Sequence, residues 1–178
     1  MNSSSVQHAL SASGLLRSQF RLAHELLEAA IEQLRTKAAH LPDSTAWAAE
    51  ARYAHVVLCE DLSVNGVLAS GTPLALSTWV GRTGISDVPL LAGSNDWRAW
   101  GLQVRLDLAE LRRYARAVYA STDDYLDALP DDALHTACGE MPACVLNALL
   151  LTLSMRRGEI ACLHTLTRSS SAAKLKLQ

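Results

Sequence analysis

The segment from Pro142 to Leu166 constrains the fold more than any other part of the chain. It is the most apolar stretch of the sequence, and its hydrophobic residues recur with the period of an α-helix. At about 100° per residue, Thr152 and Arg156 fall on the same inward face as Val145. A guanidinium group stays charged when it is buried, so an inward arginine needs either water or a hydrogen-bond acceptor. The segment therefore predicts a helix that packs in the core and in which the inward-facing Arg156 requires a partner.

Three further amphipathic helices are predicted before this segment. Their bounds are about Ser13 to Ala39, about Asp43 or Ser44 to Ala69, and about Leu106 to Leu129. Pro130 ends the third of them, because proline cannot continue a helix. The first two each place a histidine on the inner face, His24 and His55. Four long helices are thus expected to share one core.

Residues 70 to about 100 separate the second predicted helix from the third and show no sustained period. Glycine and proline interrupt the segment, yet it contains Trp79 and Trp97 and is followed by Trp100. A structureless connection of this length is uncommon in a compact domain unless it packs. We therefore expect a crossover whose tryptophans pack over one end of the helices. Such a crossover lets the second and third helices run in the same direction, which predicts an all-α, up-down-down-up four-helix bundle.

The length and charge of the chain limit its function classes. A chain of 178 residues fits one domain, and we expect a disordered lead at residues 1–12, the bundle at 13–167 and a frayed tail at 168–178. A net charge of −2 and the lack of a basic patch disfavour nucleic-acid binding. The apolar runs are much shorter than the roughly 20 residues of a membrane span, and no secretory signal is recognised, so a cytoplasmic location is expected.

Four cysteines are scattered without the spacing of a zinc site: Cys59, Cys138, Cys144 and Cys162. Reduced, inert thiols are the simpler interpretation. A nucleophilic Cys59 is the alternative, since a neighbouring arginine lowers the pKa of a thiol.

Four segments carry a resemblance to a known family. They are YAHVVLCEDLSVNGVL, STWVGRTG, RLDLAELRRYARAVYASTDDYLDAL and VLNALLLTLSMRRGEIACL. In this order, with a tryptophan-bearing crossover and a Gly-Glu pair in the last helix, they resemble the DinB/YfiT-like family over roughly Leu15 to Leu166. The resemblance implies a four-helix bundle and, for function, metal-dependent transferases or isomerases that use low-molecular-weight thiols.

The metal site that this resemblance implies is incomplete. The family places three histidines around a divalent metal, one on the second helix and two, four residues apart, ahead of the Gly-Glu pair. His55 matches the first position, but Thr152 and Arg156 occupy the other two. Threonine is a weak neutral ligand, and arginine brings a positive charge and no lone pair. We therefore expect no cofactor, with zinc or nickel only if His24, His55 and Glu159 form a rearranged ligand set.

Several residues remain candidates for a functional site, and each has a structural alternative. The catalytic candidates are His55, Arg156 and Glu159, and the pocket candidates are His24, Thr152, Cys59 and Trp79. His55 is either a general base or ligand partner, or a hydrogen-bonded core histidine. Arg156 either clamps a carboxylate or phosphate, or forms a structural ion pair with Glu159, Glu60, Asp61 or a carbonyl. Glu159 is either an acid or base, or a salt-bridge partner.

Three functional hypotheses follow. The first is a metal-free, degenerate family member that binds or transforms a small anionic or thiol-containing molecule in the bundle pocket. The second is a non-catalytic scaffold that forms a homodimer. The third is a thiol transferase with the rearranged metal site. An open pocket around His55 and Arg156 favours the first, and a filled core favours the second.

Overall fold

The computed structural model describes residues 11–37, 43–88, 97–134 and 142–175, and most of these residues are helical. Its α-helices are α1 (Ala12–Lys37), α2 (Asp43–Asp61), α3 (Trp97–Gln103), α4 (Leu108–Ala128) and α5 (Pro142–Leu175). A π-helix continues α2 over Leu62–Leu68, and two 3-10 helices cover Leu74–Leu76 and Asp131–Leu134. Within these ranges there is no strand, only an isolated bridge between Ile85 and Leu106. The expected all-α class is confirmed.

The four long helices lie where the sequence predicts them, but several bounds differ. Regular α-helix in α2 ends at Asp61 rather than Ala69, because the π-helix takes over. α5 continues to Leu175, beyond the predicted end at Leu166 and into the expected tail. α3 lies at the end of the segment that was expected to lack regular structure. Of the expected lead, residues 1–10 lie outside the described ranges, whereas α1 begins at Ala12.

Short polar residues start the helices. The Ser11 hydroxyl accepts a hydrogen bond from the Gly14 backbone N–H at 3.0 Å, which satisfies a free donor in the first turn of α1. Asp107 caps α4 in the same way, accepting from the N–H groups of Ala109 and Glu110 at 3.0 and 3.1 Å. Both helices therefore begin where the sequence supplies a capping oxygen.

Ion pairs fix the relative direction of α1 and α4. Arg17, near the start of α1, donates from Nε to Asp123 near the end of α4 at 2.7 Å. Arg112, near the start of α4, donates from Nε to Glu28 in the second half of α1 at 3.0 Å. The two pairs lie at opposite ends of both helices, so α1 and α4 run antiparallel.

Hydrogen bonds between α2 and α4 have the opposite order. Trp47, in the first turns of α2, donates from Nε1 to the carbonyl of Val104, just before α4, at 3.3 Å. Ser121, late in α4, donates to the side chain of Asn65 in the π-helix at 2.5 Å. The early residue of one segment thus contacts the early residue of the other, and the late residue contacts the late one, so α2 and α4 run in the same direction.

A buried apolar core lies between these helices. On the inner face of α1, where the sequence places His24, the side chains of Phe20, His24, Leu27 and Ile31 are all buried. The most deeply buried side chains of the other long helices include Tyr53, Leu58, Leu111, Tyr114, Leu146, Leu153 and Ile160. α1 and α2 each pack against both α4 and α5. Among the described residues, no helix is both long and apolar enough to cross a membrane.

A buried carboxylate ties the segment after α2 to the core. Asp61 accepts hydrogen bonds from the backbone N–H groups of Leu74 and Ala75, each at 2.8 Å. It also accepts from the Tyr114 hydroxyl at 2.6 Å and the Asn65 amide at 2.7 Å. A buried carboxylate needs such donors to offset its lost hydration. The start of the segment that follows the π-helix is therefore held by one side chain of α2.

Candidate functional site

A cavity of about 540 Å³, partly open to solvent, lies between α2, α3 and α5. It is lined by Trp47, Ala48, Ala51, Arg52 and His55 from α2, by Trp97, Gly101 and Leu102 from α3, and by Arg156 and Glu159 from α5. Small-molecule sites in proteins typically measure about 300–1,000 Å³. The cavity is thus large enough for a small ligand, and it contains all three catalytic candidates from the sequence.

The charged part of the cavity consists of two arginines around one carboxylate. Arg156 donates from Nη1 to both oxygens of Glu159, at 2.8 and 3.0 Å, across one turn of α5. Arg52 donates from Nε to the same carboxylate at 2.9 Å and from Nη1 to the Ala48 carbonyl at 2.8 Å. Of the acceptors considered for Arg156, Glu159 is the one observed. Two positive charges share one negative charge, which leaves the wall with an excess of one positive charge.

The pKa of Glu159 reflects this arrangement. Burial favours the neutral acid, but the hydrogen bonds and charges of Arg156 and Arg52 outweigh burial and lower the pKa of the carboxyl below its usual value. Glu159 is therefore an ionised salt-bridge partner at neutral pH. A carboxylate in this state is poorly suited to act as a general acid.

His55 lies against the aromatic wall of the cavity. Its ring stacks on Trp97 with the ring centroids 3.9 Å apart and an angle of 23° between the planes, and Trp100 meets Trp97 edge-on at 5.3 Å. Burial, and to a smaller extent the charge of Arg156, lower the pKa of His55 to about 4 against the opposing effect of Glu159. The imidazole is therefore neutral at pH 7. It can donate or accept a hydrogen bond, but it is a weak base.

Three of the predicted pocket residues lie elsewhere. Thr152 donates its hydroxyl to the Ala148 carbonyl within α5, at 2.8 Å. Trp79 packs against Tyr114, with its ring centroid 5.9 Å away. Cys59 is half-buried, and burial raises the pKa of its thiol to about 11 even though Arg156 opposes the shift. Burial, the larger of the two effects, thus disfavours the thiolate that an activated nucleophile at this position would need.

His24, the fourth predicted pocket residue, belongs to a separate buried cluster. Its Nε2 atom lies 3.0 Å from both carboxylate oxygens of Glu60, and its ring stacks on Tyr119 at 3.8 Å. The Thr122 hydroxyl donates to the same carboxylate at 2.6 Å. His24 therefore faces Glu60 rather than the cavity that contains His55.

The cavity also contains residues that sequence reasoning missed. Arg52 and Trp47 were not considered, and Trp97 was assigned only to packing of the crossover. A signal for Arg52 was present, since it lies one helical turn before His55 and shares its face. No comparable signal identified Trp97, because its place beside His55 depends on the path of the whole crossover.

The residues named for a rearranged metal site lie in two places, since His55 and Glu159 line the cavity whereas His24 faces Glu60. His24 and His55 lie in different clusters, and no group of three or more His, Cys, Asp or Glu residues able to hold a metal occurs within the described ranges. Comparisons of the chain with protein-family models, curated proteins and solved structures find no match. The resemblance to the DinB/YfiT-like family therefore depends on the sequence segments alone.

Proposed function

We propose that this chain is a divergent DinB/YfiT-like protein, an up-down-down-up four-helix bundle whose cavity binds a small anionic molecule without a metal. The antiparallel pairing of α1 with α4 and the common direction of α2 and α4 support the topology. The resemblance supports the position of the site, since His55 and Arg156 match family metal positions and both line the cavity.

The proposal rests on the excess of positive charge in one wall of the cavity, where Arg52 and Arg156 pair with the single carboxylate of Glu159. Glu159 accepts hydrogen bonds from Nη1 of Arg156 and from Nε of Arg52, and the Ala48 carbonyl accepts one from Nη1 of Arg52. The remaining guanidinium N–H groups are donors for a carboxylate or phosphate. A partly enclosed wall screens such charges less than open solvent does, so an anion is the ligand that this wall attracts most.

Binding fits the geometry better than acid–base catalysis. A general base acts best with a pKa near the working pH, whereas the pKa of His55 is lowered to about 4. Its neutral ring can still hydrogen-bond to a ligand held by Arg156. A transferase or isomerase-like reaction in this site would use Arg156 to hold the anionic group and His55 as a hydrogen-bond partner.

The test is calorimetric titration with thermal unfolding, using small carboxylates, inorganic phosphate and thiol-bearing carboxylates. An excess of a true ligand raises stability by about 2.7 kcal/mol at one hundred times its Kd. Arg156→Met should abolish the effect, whereas Arg157→Met, at the neighbouring exposed position, should retain it. The proposal is overturned if none of these anions binds the parent protein, or if both variants respond alike.

The same proposal includes the lack of a bound metal. It predicts that protein purified without a histidine tag contains neither zinc nor nickel in stoichiometric amount. Replacement of both Thr152 and Arg156 by histidine should introduce divalent-metal binding if these positions match the family ligands. Stoichiometric metal in the parent protein would favour the metal-dependent thiol transferase instead.

A second candidate function, a homodimeric scaffold, is favoured by an exposed apolar stripe on α5. The stripe repeats at intervals of four and three residues: Cys144, Ala148, Leu151, Met155, Gly158 and Cys162. Leu151 and Met155 are 63% and 57% exposed, and Leu15 and Leu22 on the adjacent α1 are 60% and 56% exposed. This spacing is that of a coiled-coil seam, which a second helix can cover.

Sedimentation equilibrium tests the scaffold hypothesis. The parent chain should form dimers at micromolar concentration, and Leu151→Glu combined with Leu22→Glu should make it monomeric. Ser154→Glu, an exposed position off the stripe, is the matched control and should leave the dimer intact. A monomeric parent at about 100 µM would exclude a stable dimer of the standard interface size.

A further inference from the structure

We propose that the ligand of the cavity between α2, α3 and α5 is a flat aromatic carboxylate. This inference rests on the proposed anion site and adds the chemical class of the group that the anion is attached to. It depends on the aromatic and small side chains of the cavity wall, of which the proposed anion site uses His55 alone.

The aromatic part of the wall consists of Trp47, His55 and Trp97. Each ring is held in place by a contact of its own. Trp47 Nε1 donates to the Val104 carbonyl at 3.3 Å, while His55 and Trp97 stack on each other with 3.9 Å between centroids. Because the indole N–H of Trp47 already has a partner, what this residue offers to a ligand is its apolar ring surface.

Between these rings the wall is made of small residues. Ala48, Ala51 and Gly101 line the cavity, and a Cβ atom on Gly101 would lie 3.8 Å from the Ala51 Cβ. α3 therefore approaches α2 closely at this point. Apart from Leu102, the aliphatic side chains that line the cavity are small, and such a wall suits a planar group better than a bulky saturated one.

The spacing along α2 connects the aromatic wall to the charged wall. Trp47, Ala51 and His55 follow one another at intervals of four residues, so they lie along one face of the helix. Arg52 lies about 7.5 Å along the helix axis from Trp47 and about 140° around it, at about 1.5 Å and 100° per residue. Both residues line the cavity, so a fused two-ring system that lies against Trp47 and spans the cavity would extend its carboxylate to Arg52 and Arg156.

A ligand that complements both walls of the cavity has a planar apolar body and one anionic end. The excess positive charge at Arg52 and Arg156 meets the carboxylate, and the flat wall meets the ring. Because the imidazole of His55 is neutral, the aromatic wall carries no charge of its own beside the ring of the ligand. Saturated acids of equal charge lack the ring contact, and uncharged aromatics lack the guanidinium contact.

Three probes of the parent protein separate these contributions: 2-naphthoate, cyclohexanecarboxylate and 2-naphthamide. Isothermal titration calorimetry should show that 2-naphthoate binds about tenfold more tightly than either of the others. Trp47→Leu should weaken 2-naphthoate about tenfold and leave cyclohexanecarboxylate within twofold, and Trp47→Phe should restore most of the loss. If Trp47→Leu does not fold, the three probes on the parent protein remain a complete test.

The outcomes distinguish this inference from the proposal on which it rests. Equal binding of 2-naphthoate and cyclohexanecarboxylate, with both lost in Arg156→Met, overturns the aromatic class and leaves the anion site standing. Equal binding of 2-naphthoate and 2-naphthamide overturns the anion site and the carboxylate together. Lack of binding by all three probes overturns both.

Discussion

The Nε2 atom of His24 lies 3.0 Å from both carboxylate oxygens of Glu60, with both side chains buried in the core. Each residue comes from a different helix, α1 for His24 and α2 for Glu60. The pair joins the two helices by a polar contact inside an apolar core. Loss of one partner leaves a buried polar group without its main contact, which is far more destabilising than loss of both.

The first prediction concerns this pair. His24→Leu should lower the free energy of unfolding by about 3–5 kcal/mol, because Glu60 then keeps only the Thr122 hydroxyl among its partners in the described ranges. The double variant His24→Leu with Glu60→Met should recover much of this loss, since no buried carboxylate remains and the Thr122 hydroxyl is the polar group of this cluster that loses its acceptor. Urea unfolding of the two single variants and the double variant measures the coupling. A loss below about 1 kcal/mol in His24→Leu would contradict the role assigned to the pair.

The second prediction concerns the charge beside His55. Arg156→Met should raise the pKa of His55 above about 4, because one of the two causes of its lowering is removed. Burial, the larger cause, remains, so the pKa should stay below the ordinary value of 6.5. The measurement is an NMR titration of the imidazole carbon-bound protons. Arg157→Met is the control, and an equal shift in both variants would show that the nearby charge is not Arg156.

The third prediction is the dependence of stability on pH. The pKa of His55 is lowered from 6.5 to about 4 on folding, so between these values the unfolded chain binds more protons than the folded chain. The His55 contribution to stability is therefore present above pH 6.5 and is lost as the pH falls towards 4. His55→Phe, which keeps a ring against Trp97, should flatten this part of the curve. Identical pH profiles for parent and variant would exclude the lowered pKa.

The fourth prediction compares two glycines that both have positive φ, Gly81 at +70° and Gly84 at +74°. A Cβ on Gly84 would clash with the Asp107 carbonyl oxygen and the Leu111 nitrogen, whereas one on Gly81 meets nothing within 4 Å. Gly81→Ala should therefore cost about 1 kcal/mol from its backbone conformation alone. Gly84→Ala should cost at least about 3 kcal/mol, since backbone must also move. Equal losses in thermal unfolding would contradict the close approach at Gly84.

The sequence predicts the long helices and the inner face of α1 because both depend on local periodicity. Phe20, Leu27 and Ile31 recur at helical spacing, and burial follows that spacing. The pairing of Arg156 with Glu159 is predictable for the same reason, since three residues span one turn. The α-helical class and one side of the candidate site are thus encoded locally.

Features that depend on distant parts of the chain are not predicted. The sequence offers Asp61 as a possible ion-pair partner for Arg156, but four donors from three other segments, among them Leu74 and Tyr114, surround it in the fold. The π-helix that follows it has no recognised sequence signal. His24 and His55 share a pattern of inward histidines, yet the helices around them direct one to Glu60 and the other to Trp97. Only tertiary packing separates these cases.

The carboxylate of Glu159 affects the entropy of binding at the proposed anion site. Free arginine side chains lose considerable rotational freedom when they bind a ligand. Here Glu159 already restricts Arg52 and Arg156 in the unliganded protein, each through a hydrogen bond of 2.8 or 2.9 Å. Any anion that enters meets two guanidinium groups whose orientation was set during folding. The entropy lost in ordering these side chains therefore lowers the free energy of unfolding and does not weaken the binding of a ligand.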